Sequence, residues 1–329
     1  MISLIEALNY RCLQYIRQPL GPFHVLVGPN ASGKSTFLDV VGFLSDLVSG
    51  GLEEAVYERT QNFVDLLWAR RGERFELALE ARIPEDRRAL LHDPTFDTVR
   101  YEVSVGIDPD TKEVVIFTES GLLKISEDGC AEQIEQKLLF PNPRPAPDTI
   151  ATPKGRKGRT RWLFSKSEGG RGNDNFYAEA HGKEGRWAPA FKLGPRRSTL
   201  RSLPEDETNY PVSTWFRGFL GERVESIVLN SLLIRKPSPP GQKRGFTPNG
   251  SNLPWVIDEL NKRDPARLAQ WIDHVRTALP DLCGIETIER PEDRHRYLRL
   301  LYDGGLEGAF LDGLRRNTQA VGVNTAGVH

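Results

Sequence analysis

Residues 28–36, GPNASGKST, constrain the fold more than any other stretch of the chain. They match the pattern G-x-x-x-x-G-K-[ST] at every fixed position. They lie between an apolar run at 25–27 and a segment whose apolar residues recur at helical spacing. A strand, a loop of small residues and a helix, in this order, predict a phosphate-binding loop. The predicted buried face of the helix carries Phe37, Leu38, Val41, Leu44 and Leu47.

The residue types of this phosphate loop (residues 28–36) have a chemical explanation. Gly28 and Gly33 let the backbone approach a phosphate chain with unusual dihedral angles. The N–H groups at the start of the following helix, and the positive end of its dipole, would face the anion. Lys34 is predicted to reach the β- and γ-phosphates of ATP as the catalytic residue, and the Ser35 hydroxyl to ligate Mg²⁺. The predicted ATP-binding residues are Gly28, Pro29, Asn30, Ala31, Ser32, Gly33, Lys34, Ser35 and Thr36. A glycine-containing turn with an incidental lysine is the alternative.

Composition argues against several other classes of protein. The 44 lysines and arginines are balanced by 45 acidic residues, so no overall basic excess indicates nucleic-acid binding. Cys12, Cys130 and Cys283 are far apart and lack the spacing of zinc ligands. Glu6 and Arg11 interrupt any signal-like apolar core, and no apolar run approaches the roughly 20 residues of a membrane helix. We therefore expect a cytoplasmic protein that is not a membrane protein.

The opening ISLIEALNYR and the phosphate loop together resemble the ABC-type ATPase heads of the RecF and SMC kind. Such heads read N-[FY]-[RK] where this chain has Asn9-Tyr10-Arg11, and G-x-N-G-S-G-K-S-T in the loop, where Ala31 here replaces a glycine. The resemblance implies an α/β P-loop NTPase fold with an antiparallel β sub-sheet and a helical insert. It also implies that Arg11 lies near the nucleotide, the alternative being a solvated arginine at a strand end.

The rest of the chain extends this resemblance to a bacterial RecF-like subgroup, through GSNLPWVIDELNKRDPARLAQWIDHVRTALPDL and IERPEDRHRYLRLLYDGGLE. It implies an incomplete head at 1–307, with a β-rich arm at about 72–200 and a part with helices and a β-hairpin at about 205–307. Alternating residues in RFELALEARI, VRYEVSVGI and EVVIFTES predict antiparallel strands. The stretch 141–161 is expected to be an exposed loop, whose basic run 154–161 either stays in solvent or contacts a nucleic-acid backbone.

Residues 255–259, WVIDE, look like a Walker B strand, because they are apolar and end in Asp-Glu. Asn252 as N-cap and Pro254 in a first turn instead predict the start of a helix. A proline is also unfavourable beside a central strand. A second helix should follow, with an apolar face formed by Leu268, Trp271, Ile272, Val275 and Leu279.

Residues 308–329 show neither the period of a strand nor that of a helix. The family continues at this point with a signature motif, S-D-G, and then a Walker B strand. A one-nucleotide shift of reading frame can spell VPSWMVSDGTLRLLALTLP directly after Glu307. We therefore predict that 308–329 are disordered, out-of-frame sequence, and that the chain is truncated near 308. A divergent C-terminus is the alternative.

Two functional hypotheses follow from different classes of protein. The resemblance implies an ATP-binding ATPase head that works as a homodimer with ATP held between two copies, in DNA maintenance, DNA repair or phage defence, with DNA as a partner. The second is a non-hydrolysing ATP-binding or protein-interaction module, since the chain as written lacks a signature motif and a Walker B strand. A P-loop kinase would need a lid of arginines and an acceptor pocket, and the sequence has no motif for either.

Overall fold

The computed structural model describes residues 1–126, 145–153, 160–180, 189–222, 224–242 and 245–303, and the backbone of 307–309. The chain divides into two compact units, Met1–Val224 and Glu225–His329. No helix in the described part of the chain combines the length and apolar character needed to cross a membrane.

The first unit contains a large antiparallel sheet. Its strands are β1 (Ile2–Tyr10), β2 (Leu13–Pro19), β3 (Arg74–Arg82), β4 (Thr98–Ile107), β5 (Val114–Lys124), β6 (Thr160–Ser165), β7 (Asp174–Phe176) and β8 (Ala190–Phe191). They pair in the order β2-β1-β3-β4-β5-β6-β7-β8, and every pair is antiparallel. The three alternating segments of the sequence coincide with β3, β4 and β5, so the prediction of antiparallel strands is confirmed.

Helices cover one face of this sheet. They are α1 (Lys34–Ser49), α2 (Leu52–Tyr57), α3 (Glu85–Arg88) and α4 (Pro211–Glu222). The long helix α1 packs against α2, α4, β1 and β3. Its Phe43 ring meets Phe75 of β3 at a centroid distance of 5.3 Å, and Tyr10 of β1 meets Phe75 at 4.9 Å. The helix was predicted correctly, but its buried face was not entirely, because Leu38 lies outside the stripe formed by Phe37, Val40, Phe43, Leu44 and Leu47 and is exposed.

The predicted strand at 25–27 is wrong. Residues 23–27, the exposed segment, form no strand, and Val25 and Val27 are 66% and 89% exposed. No described strand pairs with this segment. Extended backbone is stable as a strand only when a neighbour satisfies its N–H and C=O groups and covers its side chains. Val25 and Val27 of the apolar run therefore remain uncovered in the described structure, whereas Leu26 is partly buried against the core.

The opposite face of the sheet carries buried charge. Arg100 on β4 contacts Glu6 on β1, Glu80 on β3 and Glu102 on its own strand. All four side chains are shielded from solvent, since each residue is less than 9% exposed. This face therefore depends on ion pairing between strands that are far apart in sequence.

Residues 149–152 pack over these charges. Thr149 Oγ1 and the Ile150 N–H both donate to Glu76 Oε2 at 2.8 Å, and the Thr152 N–H donates to Glu102 Oε2 at 2.9 Å. The predicted loop is confirmed for 145–153, and residues 145–149 are exposed as expected. Ile150 is nevertheless buried, because buried carboxylates require donors that the segment supplies. The prediction is also wrong at Thr160 and Arg161, which lie in β6. Residues 154–159, most of the basic run, lie outside the described residues.

The second unit combines short helices with a small sheet. Its elements are α5 (Ser231–Ile234), α6 (Leu253–Arg263), α7 (Pro265–Arg276), β9 (Leu282–Glu289), β10 (Arg296–Tyr302) and β11 (Glu307–Ala309), with antiparallel strand order β11-β10-β9. Residues 255–259 lie within α6, with Asn252 at the N-cap position and Pro254 in the first turn. The helix prediction is confirmed and the Walker B alternative is excluded for this segment.

Two details of the second unit differ from the sequence predictions. Leu268 of α7 is buried as expected, but Trp271 and Leu279 are exposed, and Leu279 lies beyond the end of the helix. The first two residues of the predicted disordered tail, Gly308 and Ala309, have strand backbone paired with β10. The rest of that tail, 310–329, lies outside the described residues.

Candidate phosphate-binding site

The phosphate loop leads from the exposed segment into α1, and Gly33 is its last residue before the helix. Gly33 occupies the N-cap position with φ 90° and ψ 5°, in the left-handed region. A Cβ atom at this position would lie 3.3 Å from Cys12 Sγ and 3.3 Å from Leu13 Cδ2. The tip of the β1–β2 hairpin therefore lies against the start of α1, and both backbone conformation and space favour glycine at position 33.

The Lys34 side chain folds back into the loop. Its Nζ donates to the carbonyl oxygens of Gly28 and Pro29, both at 2.7 Å, and to Ser32 Oγ at 3.3 Å. A lysine ammonium has three donors, and here the loop provides an oxygen acceptor for each of them. The loop thus curls around the Lys34 ammonium, and contact between Lys34 and phosphate oxygens remains a prediction.

The start of α1 is open to an anion. No side chain caps its N-terminus, so the N–H groups of its first turn have no acceptor from a cap. The partial positive charge of the helix end favours an anion in the same place. Ser35, in this turn, is exposed and its hydroxyl is accessible. Three kinds of group therefore lie together here: the free N–H groups of the helix end, the Lys34 ammonium and the Ser35 hydroxyl. Together they could bind the terminal phosphates of a nucleotide and its metal ion.

Mg²⁺ fits this set only in part. Ser35 offers one oxygen ligand, whereas octahedral Mg²⁺ requires six, usually from carboxylates, phosphates and water. Within the described residues no group of three or more His, Cys, Asp or Glu side chains is arranged to hold a metal ion. A metal ion at Ser35 would therefore depend on phosphate oxygens and water.

Ala31 is the strained residue of the loop. Its φ angle is 65°, in the left-handed region, which residues other than glycine rarely adopt. The expected result is that Ala31→Val lowers ATP affinity about tenfold, because a β-branched residue opposes this conformation by about 1–2 kcal/mol. Ala31→Gly should bind ATP at least as well as the wild type. Equilibrium titration with a fluorescent ATP analogue measures both, and equal affinity of the valine variant would contradict the prediction.

The structure places Arg11 against α1. Its Nη1 lies 3.0 Å from Oδ2 of Asp39, which also accepts a 2.6 Å hydrogen bond from the Tyr10 hydroxyl. Arg59 Nε donates to the other oxygen, Oδ1, at 2.7 Å. Burial and the neighbouring Asp39 raise the pKa of Tyr10 well above its usual value, so the phenol remains a donor. Asp39 thus fixes Arg11 one and a half turns along α1 from Lys34. Contact between Arg11 and a nucleotide remains a prediction.

Asp39 and Arg59 were missed by sequence reasoning. The one available signal was an aspartate, Asp39, inside the apolar run of α1. Arg59 lies 20 residues further on, and its side chain is 8% exposed because it packs over the Phe43 ring at 5.2 Å. Only the packing of the segment after α2 against α1 reveals that this arginine shares a carboxylate with Arg11.

Comparison with known proteins supports the interpretation of residues 28–36 as the phosphate loop of a P-loop ATPase. Residues 23–119 match the family described as "AAA domain, putative AbiEii toxin, Type IV TA system". The OLD nuclease of Thermus scotoductus (strain ATCC 700910 / SA-01) is 44% identical over 110 residues, which are 33% of this chain and 15% of that protein. The chain therefore spans only a small part of this curated relative.

A solved structure concerned with the ATP-driven dimerization and DNA-stimulated activation of SMC ATPases is 26% identical. It covers 37% of this chain and 68% of that chain, with a TM-score of 0.27, too low to establish a common arrangement of elements. The family match and the geometry of the phosphate loop agree on a P-loop ATPase domain. The fold is mixed α/β with a large antiparallel sheet, and the family match over residues 23–119 fits a P-loop NTPase.

Proposed function

We propose that the chain is the ATP-binding part of a RecF-like ATPase head. The observation that carries this proposal is the Lys34 ammonium enclosed by the phosphate loop at the uncapped start of α1. The loop backbone and the first turn of α1 would bind the phosphate chain, and Lys34 would move from the loop carbonyls to the β- and γ-phosphate oxygens. Arg11, held by Asp39, would add a second positive charge beside α1.

Ser35 would hold Mg²⁺ together with the phosphates. The ion, when bound, neutralises charge on the terminal phosphates and favours their transfer to water. Hydrolysis further requires a carboxylate that completes the metal site and orients water. We infer that this carboxylate lies outside the described residues. We further propose that a second copy of the chain encloses ATP in a homodimer.

A role in DNA maintenance, DNA repair or phage defence is proposed from the resemblance and from the nuclease that shares 44% identity over a third of the chain. DNA is the proposed partner, bound by the assembled head. The first unit binds ATP in this proposal, and the nucleic-acid contacts belong to the parts of the head that ATP brings together.

A non-hydrolysing ATP-binding or interaction module is the second candidate. It is favoured by the uncovered segment 23–27 and by the lack of a metal-holding carboxylate group among the described residues. Release of phosphate from ATP, measured with and without double-stranded DNA, separates the two. Turnover that DNA increases supports the ATPase head, ATP binding without turnover supports the module, and no ATP binding rejects both.

The exposed segment should make the chain self-associate. An uncovered apolar run with unpaired backbone is a template for another strand. We expect Val25→Lys combined with Val27→Lys to raise the monomeric fraction several-fold in size-exclusion chromatography with light scattering. Leu90→Lys, which changes another exposed apolar residue, is the control and should not alter it. A wild-type chain that is already monomeric at the same concentration would contradict the prediction.

A further inference from the structure

A cavity of the first unit lies at the far end of α1. It has a volume of about 770 Å³ and forms where α1 ends at Ser49 and α2 begins at Leu52. Since an α-helix rises 1.5 Å per residue, this cavity is about 22 Å from Lys34 along the helix axis. Its size is within the range of ligand-binding clefts. It is therefore a separate site from the phosphate loop.

The walls of this cavity are apolar on the inside and charged at the rim. Val56 and Val114 are partly exposed and provide aliphatic surface, whereas Leu52, which also lines the cavity, is almost fully buried. Tyr57 presents an aromatic ring that is 72% exposed. The rim carries Glu53, Glu54, Glu113 and Arg196, so three carboxylates face one guanidinium and leave a local charge of −2.

The rim charges are not equally paired. Arg196 contacts Glu53 and approaches Glu113 at 3.9 Å. The Glu54 carboxylate receives no hydrogen bond and no ion pair from any residue that the structure describes. Its side chain folds over Gly50, where a Cβ atom would overlap it. Glu54 thus places an uncompensated carboxylate on the wall of the cavity, beside the Tyr57 ring.

We propose that this cavity docks an arginine-bearing amphipathic segment of a partner protein. Its charge requires a cation, since an apolar group alone would remove Glu54 from water without a partner. Its aliphatic floor requires an apolar side chain, since a bare polycation would leave that surface uncovered. An arginine meets both requirements, because its stem is apolar and its planar guanidinium binds carboxylates and stacks on aromatic rings.

The test uses a fluorescein-labelled peptide, acetyl-Leu-Arg-Leu-Leu-Arg-Leu-amide, and the full chain in fluorescence anisotropy. Glu54→Lys should weaken binding at least tenfold, and Tyr57→Ala about threefold. Glu85→Lys is the matched control, since Glu85 is likewise an exposed acid in the first turn of a helix but lies outside the cavity. The control should bind as the wild type does, and circular dichroism should show all variants folded.

Four further measurements, on two control peptides, a Lys34→Ala variant and spermine, make the proposal refutable. The peptides acetyl-Leu-Glu-Leu-Leu-Glu-Leu-amide and acetyl-Ser-Arg-Ser-Ser-Arg-Ser-amide should bind at least tenfold more weakly, because each lacks one of the two features. Lys34→Ala should not change peptide binding, so the result stands apart from the proposed ATP binding. The proposal is overturned if the basic peptide does not bind, if Glu85→Lys weakens it as much as Glu54→Lys, or if spermine binds with the same affinity.

Discussion

Lys34→Ala is expected to lower ATP affinity about a hundredfold or more and to leave the fold intact. Each charge-assisted hydrogen bond from an ammonium to phosphate contributes about 1.5–3 kcal/mol, and Lys34 has donors for two or more of them. In the structure its Nζ contacts only oxygens of the phosphate loop. Its loss therefore leaves no buried charge unpaired. Binding is measured with labelled ATP and folding by the thermal midpoint.

Two companion variants sharpen this experiment. Lys262→Ala removes an exposed lysine of α6 that pairs with Asp258, and it should not affect ATP affinity. Arg11→Ala should reduce affinity by a smaller factor than Lys34→Ala, because Arg11 lies at the hairpin tip and is partly exposed. If the Lys34→Ala chain bound ATP as tightly as the wild type, residues 28–36 would not be a nucleotide site.

Elements with a strong local pattern could be predicted from the sequence. The helix α1, the strands β3, β4 and β5, and the helix α6 all follow from apolar spacing and capping residues within each segment. The phosphate loop could be found for the same reason, since its function depends on consecutive residues. In these segments the local preference and the fold agree.

Features that depend on distant partners could not be predicted. Residues 25–27 are as apolar as a buried strand, but a strand also needs a neighbour, and none is present among the described residues. Asp39 joins Arg11 to Arg59 only because the β1–β2 hairpin and the segment after α2 meet on α1. The apolar pattern of a segment indicates which of its faces could be buried. It does not indicate which distant side chains form ion pairs with its charged residues.

The charged face of the sheet leads to the prediction with the largest effect on stability. Arg100 donates to Glu102 at 2.5 Å, to Glu6 at 2.8 Å and to Glu80 at 3.1 Å, and also to the Ile150 carbonyl at 3.0 Å. Arg100→Met keeps much of the side-chain volume but leaves these buried carboxylates without their shared cation. Breaking buried pairs in this way costs about 3–5 kcal/mol, a large share of a typical stability of about 5–15 kcal/mol.

The pH dependence identifies charge as the cause of this loss. Burial disfavours ionised Glu80, but Lys124 and Arg100 outweigh it and lower the pKa of its carboxyl group. In the wild type, the stabilisation that ionised Glu80 provides is present above the ordinary pKa of a glutamate. It is lost as the pH falls through the lowered pKa of Glu80. In Arg100→Met, Glu80 loses one of the two cations that lower the pKa of its carboxyl group, so that pKa rises and Glu80 takes up a proton at higher pH.

The deficit of Arg100→Met should therefore shrink between about pH 7 and about pH 5, as Glu80 becomes neutral. Urea denaturation of both proteins at the two pH values measures it. Arg171→Met is the control, because Arg171 pairs with Asp108 and Asp110 at an exposed position and its loss should change the free energy of unfolding little at either pH. A deficit that is equal at both pH values would mean that Arg100 stabilises the sheet by packing, and that its ion pairs with Glu6, Glu80 and Glu102 do not hold the strands together.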